Sequence, residues 1–246
     1  MRFSLKDSLQ LLEDDIKMIV KCVGKIDRPN LLIVLGDTGT SKTETIRNIL
    51  IENKTDYAYL RGDIKSPSDM YKLLYKNNGR LIVIDDSNLI VKKNSKFMSY
   101  LLAITDRGAN KRITCLNNFD PDIQSSNNLN GKYPQNFIFT GSIICISNLK
   151  LTKLDDAFKS RAIINIIETT NEDIIIEVER KLDLYYVEIP MIVKKISLDF
   201  LKKVTENVKR YKIDFRTYQK VIEYFNLYEK EKAEAIIYKK IEQGII

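Results

Sequence analysis

Residues 31–43 read LLIVLGDTGTSKT. Five consecutive apolar residues end in glycine, a pattern that suits a strand buried on both faces of a sheet. Residues 36–43 are close to the phosphate-binding loop G-x-x-x-x-G-K-[ST], with Ser41 where the second glycine is usual. Such a loop needs backbone N–H groups converging on one concavity at a helix N-terminus, where the helix dipole is positive. Gly36 and Gly39 permit the tight turn, and Asp37, Thr38, Thr40 and Ser41 complete the cradle. Ser41 offers the same N–H as glycine provided its φ is negative. Lys42 is placed to reach the β- and γ-phosphates, and the Thr43 hydroxyl to ligate Mg²⁺. The competing reading of the stretch on its own is a fortuitous turn. The residues around it decide between the two.

Working outward, LIVIDD (81–86) is a second apolar run that ends in two carboxylates. At the tip of a neighbouring buried strand Asp85 would hold Mg²⁺, usually through water, and Asp86 would orient and deprotonate an attacking water; a strand simply stopping at polar residues is the competing reading. IICISN (143–148) ends in Asn148, a neutral amide able to position that water or touch the γ-phosphate. AIINII (162–167) is another buried run, and Arg161 stands just before it at the end of a short helix. An exposed arginine there is ordinary by itself; beside the other motifs it suits an arginine finger, which stabilises charge on a transferring phosphoryl group and, when supplied in trans, requires a neighbouring subunit.

Helical patterns separate these runs. Residues 4–23 repeat apolar positions at helical spacing, 42–52 continue from the loop, and 96–105 (KFMSYLLAIT) read as helix. SPSDMYKLLYKN (66–77) opens with Ser66 as N-cap and Pro67 at the first helical position. DYAYL (56–60) is a short strand candidate. The alternation predicts an α/β fold, a parallel sheet sandwiched between helices. After Thr169 the pattern turns helical, apart from YYVEIPMIV (185–193), which reads as extended. Two domains are expected: an α/β core over 1–168, led by a helix within 1–26, and a helical lid over 169–246. NNFDPDIQSSNNLNGKYPQN (117–136) reads as a long loop between two hairpin arms, RITCL and NFIFTG.

The composition predicts a soluble, globular protein: 44% of residues are hydrophobic and 30% charged, and no apolar run approaches membrane-spanning length. The N-terminus carries no signal-peptide pattern, which makes the cytoplasm the expected location (the host cytoplasm if the chain is phage-encoded). Three cysteines lie far apart and there are no histidines, which argues against structural zinc and histidine-based catalysis. The net charge of +7 permits an anionic partner. Between residues 190 and 222, nine Lys/Arg stand against three acids, a local excess of +6. A polyanion-facing surface and a solvated helix face explain that excess equally well.

Taken together, these motifs resemble the AAA+ ATPase family over about residues 30–225. GDTGTSKT resembles its Walker A and LIVIDD its Walker B, with Asp86 in place of the more usual glutamate. IICISN resembles sensor 1, and LDDAFKSR (154–161) the segment carrying the arginine finger. IDFRTYQKVIEYF (213–225) resembles the lid helix whose arginine, here Arg216, is sensor 2. Serine before the lysine is also found in minichromosome-maintenance helicases, and the Asp-Asp pair in superfamily 3 viral helicases.

The resemblance implies a homo-oligomer, a hexameric ring with Arg161 acting in trans, that binds ATP and Mg²⁺. It also implies pore loops: RGDIKSPSD (61–69), with Ile64 and Lys65 near its tip, and the hairpin insertion carrying Lys132 and Tyr133. A lysine beside an aromatic suits a nucleic-acid backbone with stackable bases. The expected function is an ATP-driven motor on single- or double-stranded DNA: a helicase, helicase loader or remodelling factor with a replication-protein partner. The alternatives are a protein remodeller and a slow, nucleotide-switched scaffold or clamp-loader-like subunit. A small-molecule P-loop kinase would not need Asn148, Arg161 and a basic helical tail together.

Overall fold

The computed structural model describes all residues except 1–3, 63, 87–95, 107–111, 116–119, 125–129, 185 and 208–210. The chain divides into two compact units. One comprises Lys6–Asp37 and Lys42–Ile167. The other comprises Glu168–Ile246, Met1–Leu5 and the tip of the glycine loop, Thr38–Ser41.

The first unit is α/β. Its strands are β1 (Leu31–Gly36), β2 (Tyr57–Arg61), β3 (Leu81–Asp85), β6 (Ser142–Ser147) and β7 (Ile163–Ile167). They form one parallel sheet in the order β2-β3-β6-β1-β7. The apolar runs become its inner strands because both faces are covered: β1, β3 and β6 are buried along nearly their whole length. Side chains alternate across the sheet. Leu31, Ile33, Leu35, Ile82, Ile84 and Ile143 share one core with Met70, Tyr71 and Leu74 of α3 (Pro67–Lys76) and with Phe97, Leu101 and Ile104 of α4 (Lys96–Thr105). On the alternate positions Leu32, Val34, Val83 and Ile144 are equally buried. The leading helix α1 (Leu5–Cys22) meets β7 through Asn165, whose amide donates to Asp15 Oδ2 at 2.9 Å. Helix α2 (Lys42–Glu52) begins directly at the lysine of the glycine loop. Ser66 caps α3 by accepting from the Asp69 N–H at 3.1 Å, with Pro67 at the first helical position.

The insertion is more than a loop. β4 (Arg112–Thr114) and β5 (Asn136–Ile138) pair antiparallel. Between them Ile123 bridges Tyr133, and both are buried in the main core. Ser68 and Lys72 of α3 anchor the segment: both bond to Asp120, and Lys72 reaches Asp122 at 2.7 Å. Burial works against the Asp120 carboxylate, but its bonds to Ser68 and Lys72 outweigh that and lower its pKa. The short helix α5 (Asp156–Arg161) precedes β7.

The second unit packs α6 (Asn171–Arg180), α7 (Met191–Asn207), α8 (Phe215–Leu227) and α9 (Lys230–Glu242). Phe200 sets its ring edge-on to Phe225 and Tyr238, at 5.4 and 5.1 Å between centroids. Capping boxes at Thr170 and Asp214 start α6 and α8. The extended reading of 185–193 does not hold: the Ile189 N–H donates to the Tyr186 carbonyl at 2.9 Å, which closes a turn over 186–189. Met191–Val193 belong to α7, because Pro190 stands where its fixed φ and missing N–H suit the entry to a helix. Tyr185 lies outside the described residues.

The three cysteines are buried and free. Among the described residues, no helix is long and apolar enough to cross a membrane.

Candidate nucleotide site

In an open parallel sheet, the space beyond the carboxyl ends of the strands is where ligands bind. The sheet order sets the carboxyl ends of β3, β6 and β1 side by side, and each carries a residue expected from the sequence. Gly36 ends β1 at φ 157°, and a Cβ there would collide with the backbone oxygen of Ile167 on β7, so only glycine fits. Gly39 comes next at φ 73° within the second unit. Its carbonyl accepts from the Phe215 N–H at 3.3 Å, and a Cβ would run into the Asp214 carboxylate. Ser41 departs from expectation: its φ is 58°, in the left-handed region. The turn into α2 requires that conformation, which glycine adopts freely and serine does not.

Lys42 is 5% exposed despite its charge. Its ammonium donates to the carbonyls of Gly36 (2.9 Å) and Asp37 (2.6 Å) and to Asn148 Oδ1 (3.0 Å). One hydrogen bond thus joins residues 106 positions apart. The Thr43 hydroxyl lies 3.0 Å from each oxygen of Asp85, which is 3% exposed. The Asp86 N–H donates to Asp85 Oδ1 at 2.9 Å. Lys42, Thr43, Asp85 and Asn148 are therefore brought together. Asp86 adopts φ 55° and is half exposed, with Oδ2 3.5 Å from Arg61 Nε.

Three residues here were not singled out from the sequence. Tyr59 of β2 donates its hydroxyl to Asp85 Oδ2 at 2.6 Å. Burial, together with that bond, pushes the phenol up to about 12, so it remains a donor at neutral pH. Arg47 of α2 lies over the Tyr59 ring at 5.7 Å, and Arg61 pairs with Asp86. Aromatic and basic residues alternating along an edge strand look like ordinary packing. Only the register of β2 on β3, with Arg61 opposite Asp85, links them to the site.

Arg161 takes no part in this set. Its guanidinium lies 3.5 Å from Asp106, and both side chains are partly exposed. Arg216 is exposed near the start of α8, one residue after Phe215. Lys65 and Lys132 are exposed, whereas Ile64 is buried. Tyr133 is 4% exposed, against the expectation of a stacking surface. Its ring packs edge-on to Tyr75 at 5.6 Å, and Lys72, Lys76 and Lys132 lie 5.7–5.9 Å from its centre. Burying the aromatic is what docks the insertion. The basic excess at 190–222 is also partly absorbed. Lys194 is buried and donates to the Leu182 carbonyl at 3.2 Å, and Lys202 pairs with Glu179. Lys209 and Arg210 lie outside the described residues.

The oxygens of Thr43 and Asp85 are hard donors of the kind Mg²⁺ takes, usually one or two from the protein with phosphate and water making up the rest. Among the described residues no cluster of three or more His, Cys, Asp or Glu could cage a metal unaided. The donor set therefore fits a cation shared with a nucleotide.

No protein-family model and no curated protein matches the sequence. A solved chain from the complex of HORMA, CdnC and Trip13 of E. coli MS115-1 is similar at 14% identity, with a TM-score of 0.44, over 89% of this chain and 87% of that one. A likeness at that level assigns this chain no activity, and the functional reading rests on its own residues.

Proposed function

We propose that this chain is an ATP hydrolase of the AAA+ type, a ring-forming motor that couples hydrolysis to work on nucleic acid. The observation that carries the proposal is the meeting of Lys42, Thr43, Asp85 and Asn148 at adjacent strand ends. A fortuitous turn gives no reason for a lysine, a hydroxyl, a carboxylate and an amide to converge from three strands.

In this reading the phosphates draw Lys42 away from the carbonyls it now holds. Bound Mg²⁺ would supply neutralisation of the charge that develops on the phosphates. Thr43 and Asp85 would hold it. Asn148 orients a water in line with the γ-phosphorus, and Asp86 takes its proton. The new P–O bond forms as the bond to the β-phosphate oxygen breaks, and ADP leaves with that electron pair. Arg161 of an adjacent subunit would stabilise the equatorial charge. Calorimetric titration should show ATP binding by the wild-type chain and none by Lys42→Ala. Asp86→Asn should bind ATP without turnover. Undiminished hydrolysis by both variants sinks the proposal.

Support for nucleic acid comes from the exposed cations Lys65 and Lys132, which suit a phosphate backbone; buried Tyr133 adds no stacking surface to it. Lys132→Ala should abolish stimulation by single-stranded DNA while basal hydrolysis persists; equal stimulation in the variant removes the nucleic-acid half.

A second reading, a nucleotide-switched subunit with little turnover, is favoured by one contact. The proposed base, Asp86, faces Arg61 at 3.5 Å. If that pair restrains the base, Arg61→Ala raises turnover.

A further inference from the structure

The Asp85 carboxylate has a neighbour that a phosphate loop does not call for. Its Oδ1 accepts the Asp86 N–H at 2.9 Å, and its Oδ2 accepts the Tyr59 hydroxyl at 2.6 Å. Each oxygen thus has a fixed donor, one from the backbone and one from the adjacent strand. A carboxylate held at both oxygens cannot turn about its last torsion. An ionised carboxylate has about four lone-pair sites. Two are taken by these donors and one by the single proton of the Thr43 hydroxyl, 3.0 Å from both oxygens, which leaves one. Thr43 can keep its proton on Asp85 while its own lone pair turns to a cation. Arg47 over the ring, at 5.7 Å, restrains Tyr59 in turn.

We infer that Tyr59 is a positioning residue for a divalent cation: it fixes the plane of the Asp85 carboxylate, so that its one remaining lone pair and the Thr43 oxygen converge on one ion. The inference rests on the nucleotide-site reading above. A partner that orients a ligating carboxylate commonly sets metal affinity by about tenfold or more. The competing view makes Tyr59 an ordinary edge-strand tyrosine with a satisfied hydroxyl. That view allows Tyr59→Phe to lower stability, but not to change metal affinity selectively.

The probe is Mn²⁺, whose unbound signal is read by electron paramagnetic resonance. It is titrated into the full chain saturated with a non-hydrolysable ATP analogue. Tyr59→Phe should weaken Mn²⁺ binding about tenfold, while analogue binding measured in EDTA stays at the wild-type value. That second measurement also shows that the variant is folded. Because Tyr59 acts through Asp85, adding Tyr59→Phe to Asp85→Asn should cause no further loss. An unchanged Mn²⁺ affinity in Tyr59→Phe, or additive losses in the double variant, overturns the inference and leaves the ATP reading standing. A wild-type chain that binds neither analogue nor Mn²⁺ overturns both.

Discussion

Ser41 and Asp86 share one conformation, with φ of 58° and 55°, and they answer it differently. The left-handed region costs a side-chain-bearing residue roughly 1–2 kcal/mol, and short polar residues that bond locally are its usual occupants. At Ser41, glycine would remove that cost and give back only about 0.4–1 kcal/mol through a more flexible unfolded chain. Ser41→Gly should therefore raise stability by about 0.5–1 kcal/mol, visible as a higher denaturation midpoint; a lower midpoint would mean that the serine side chain makes a compensating bond. At Asp86 the same backbone accounts for the departure from glutamate. Aspartate tolerates the left-handed region, and a longer carboxylate does so less well. Asp86→Glu should lose about 1 kcal/mol in thermal unfolding of the free chain. A variant as stable as wild type would show that the backbone does not select aspartate.

At the scale of elements, the sheet was legible because burial on both faces leaves continuous apolar runs, as in 31–36, 81–85 and 143–147. Ser66 with Pro67 marked the start of α3 for a local reason, the first-turn N–H groups that need an acceptor. Lys42, Thr43, Asp85 and Asn148 were legible because each sits at the boundary where such a run ends. Tyr59 was not, since its role depends on cross-strand register and not on neighbours in sequence. The insertion was half legible. Its Asn-, Ser- and Pro-rich composition reports turns, but says nothing of Ile123 and Tyr133 entering the core or of Lys72 clamping Asp120. That clamp has a pH signature. The folded pKa of Asp120 lies below its ordinary value, so its contribution is fully present above the unfolded pKa of about 4 and fades as pH falls through the lower folded value. Urea midpoints of wild type should therefore decline more steeply below pH ~4 than those of Asp120→Asn. Parallel curves would show that Asp120 carries no such linkage.

At the scale of the whole molecule, the question is whether one chain holds a complete site. Arg161 stands at the end of α5 with its guanidinium toward Asp106, outside the set formed by Lys42, Thr43, Asp85 and Asn148. If Arg161 is the transition-state arginine of the proposed reading, a neighbour would supply it, as in a head-to-tail ring where each interface joins two different surfaces. Subunit mixing tests this directly. Arg161→Ala keeps the loop and loses the finger, and Lys42→Ala does the reverse, so rings of either variant alone contain no complete interface. Randomly mixed rings contain one kind of interface in which an intact Lys42 meets an intact Arg161. At equal proportions about a quarter of the interfaces are of that kind, since either partner is chosen half the time. Hydrolysis should therefore appear on mixing two inactive proteins and peak at a one-to-one ratio near a quarter of the wild-type rate, if the sites fire independently. Independent monomeric sites give zero at every ratio. That result, in a preparation shown by light scattering to exchange subunits, would place the arginine's role within its own chain and remove the shared site.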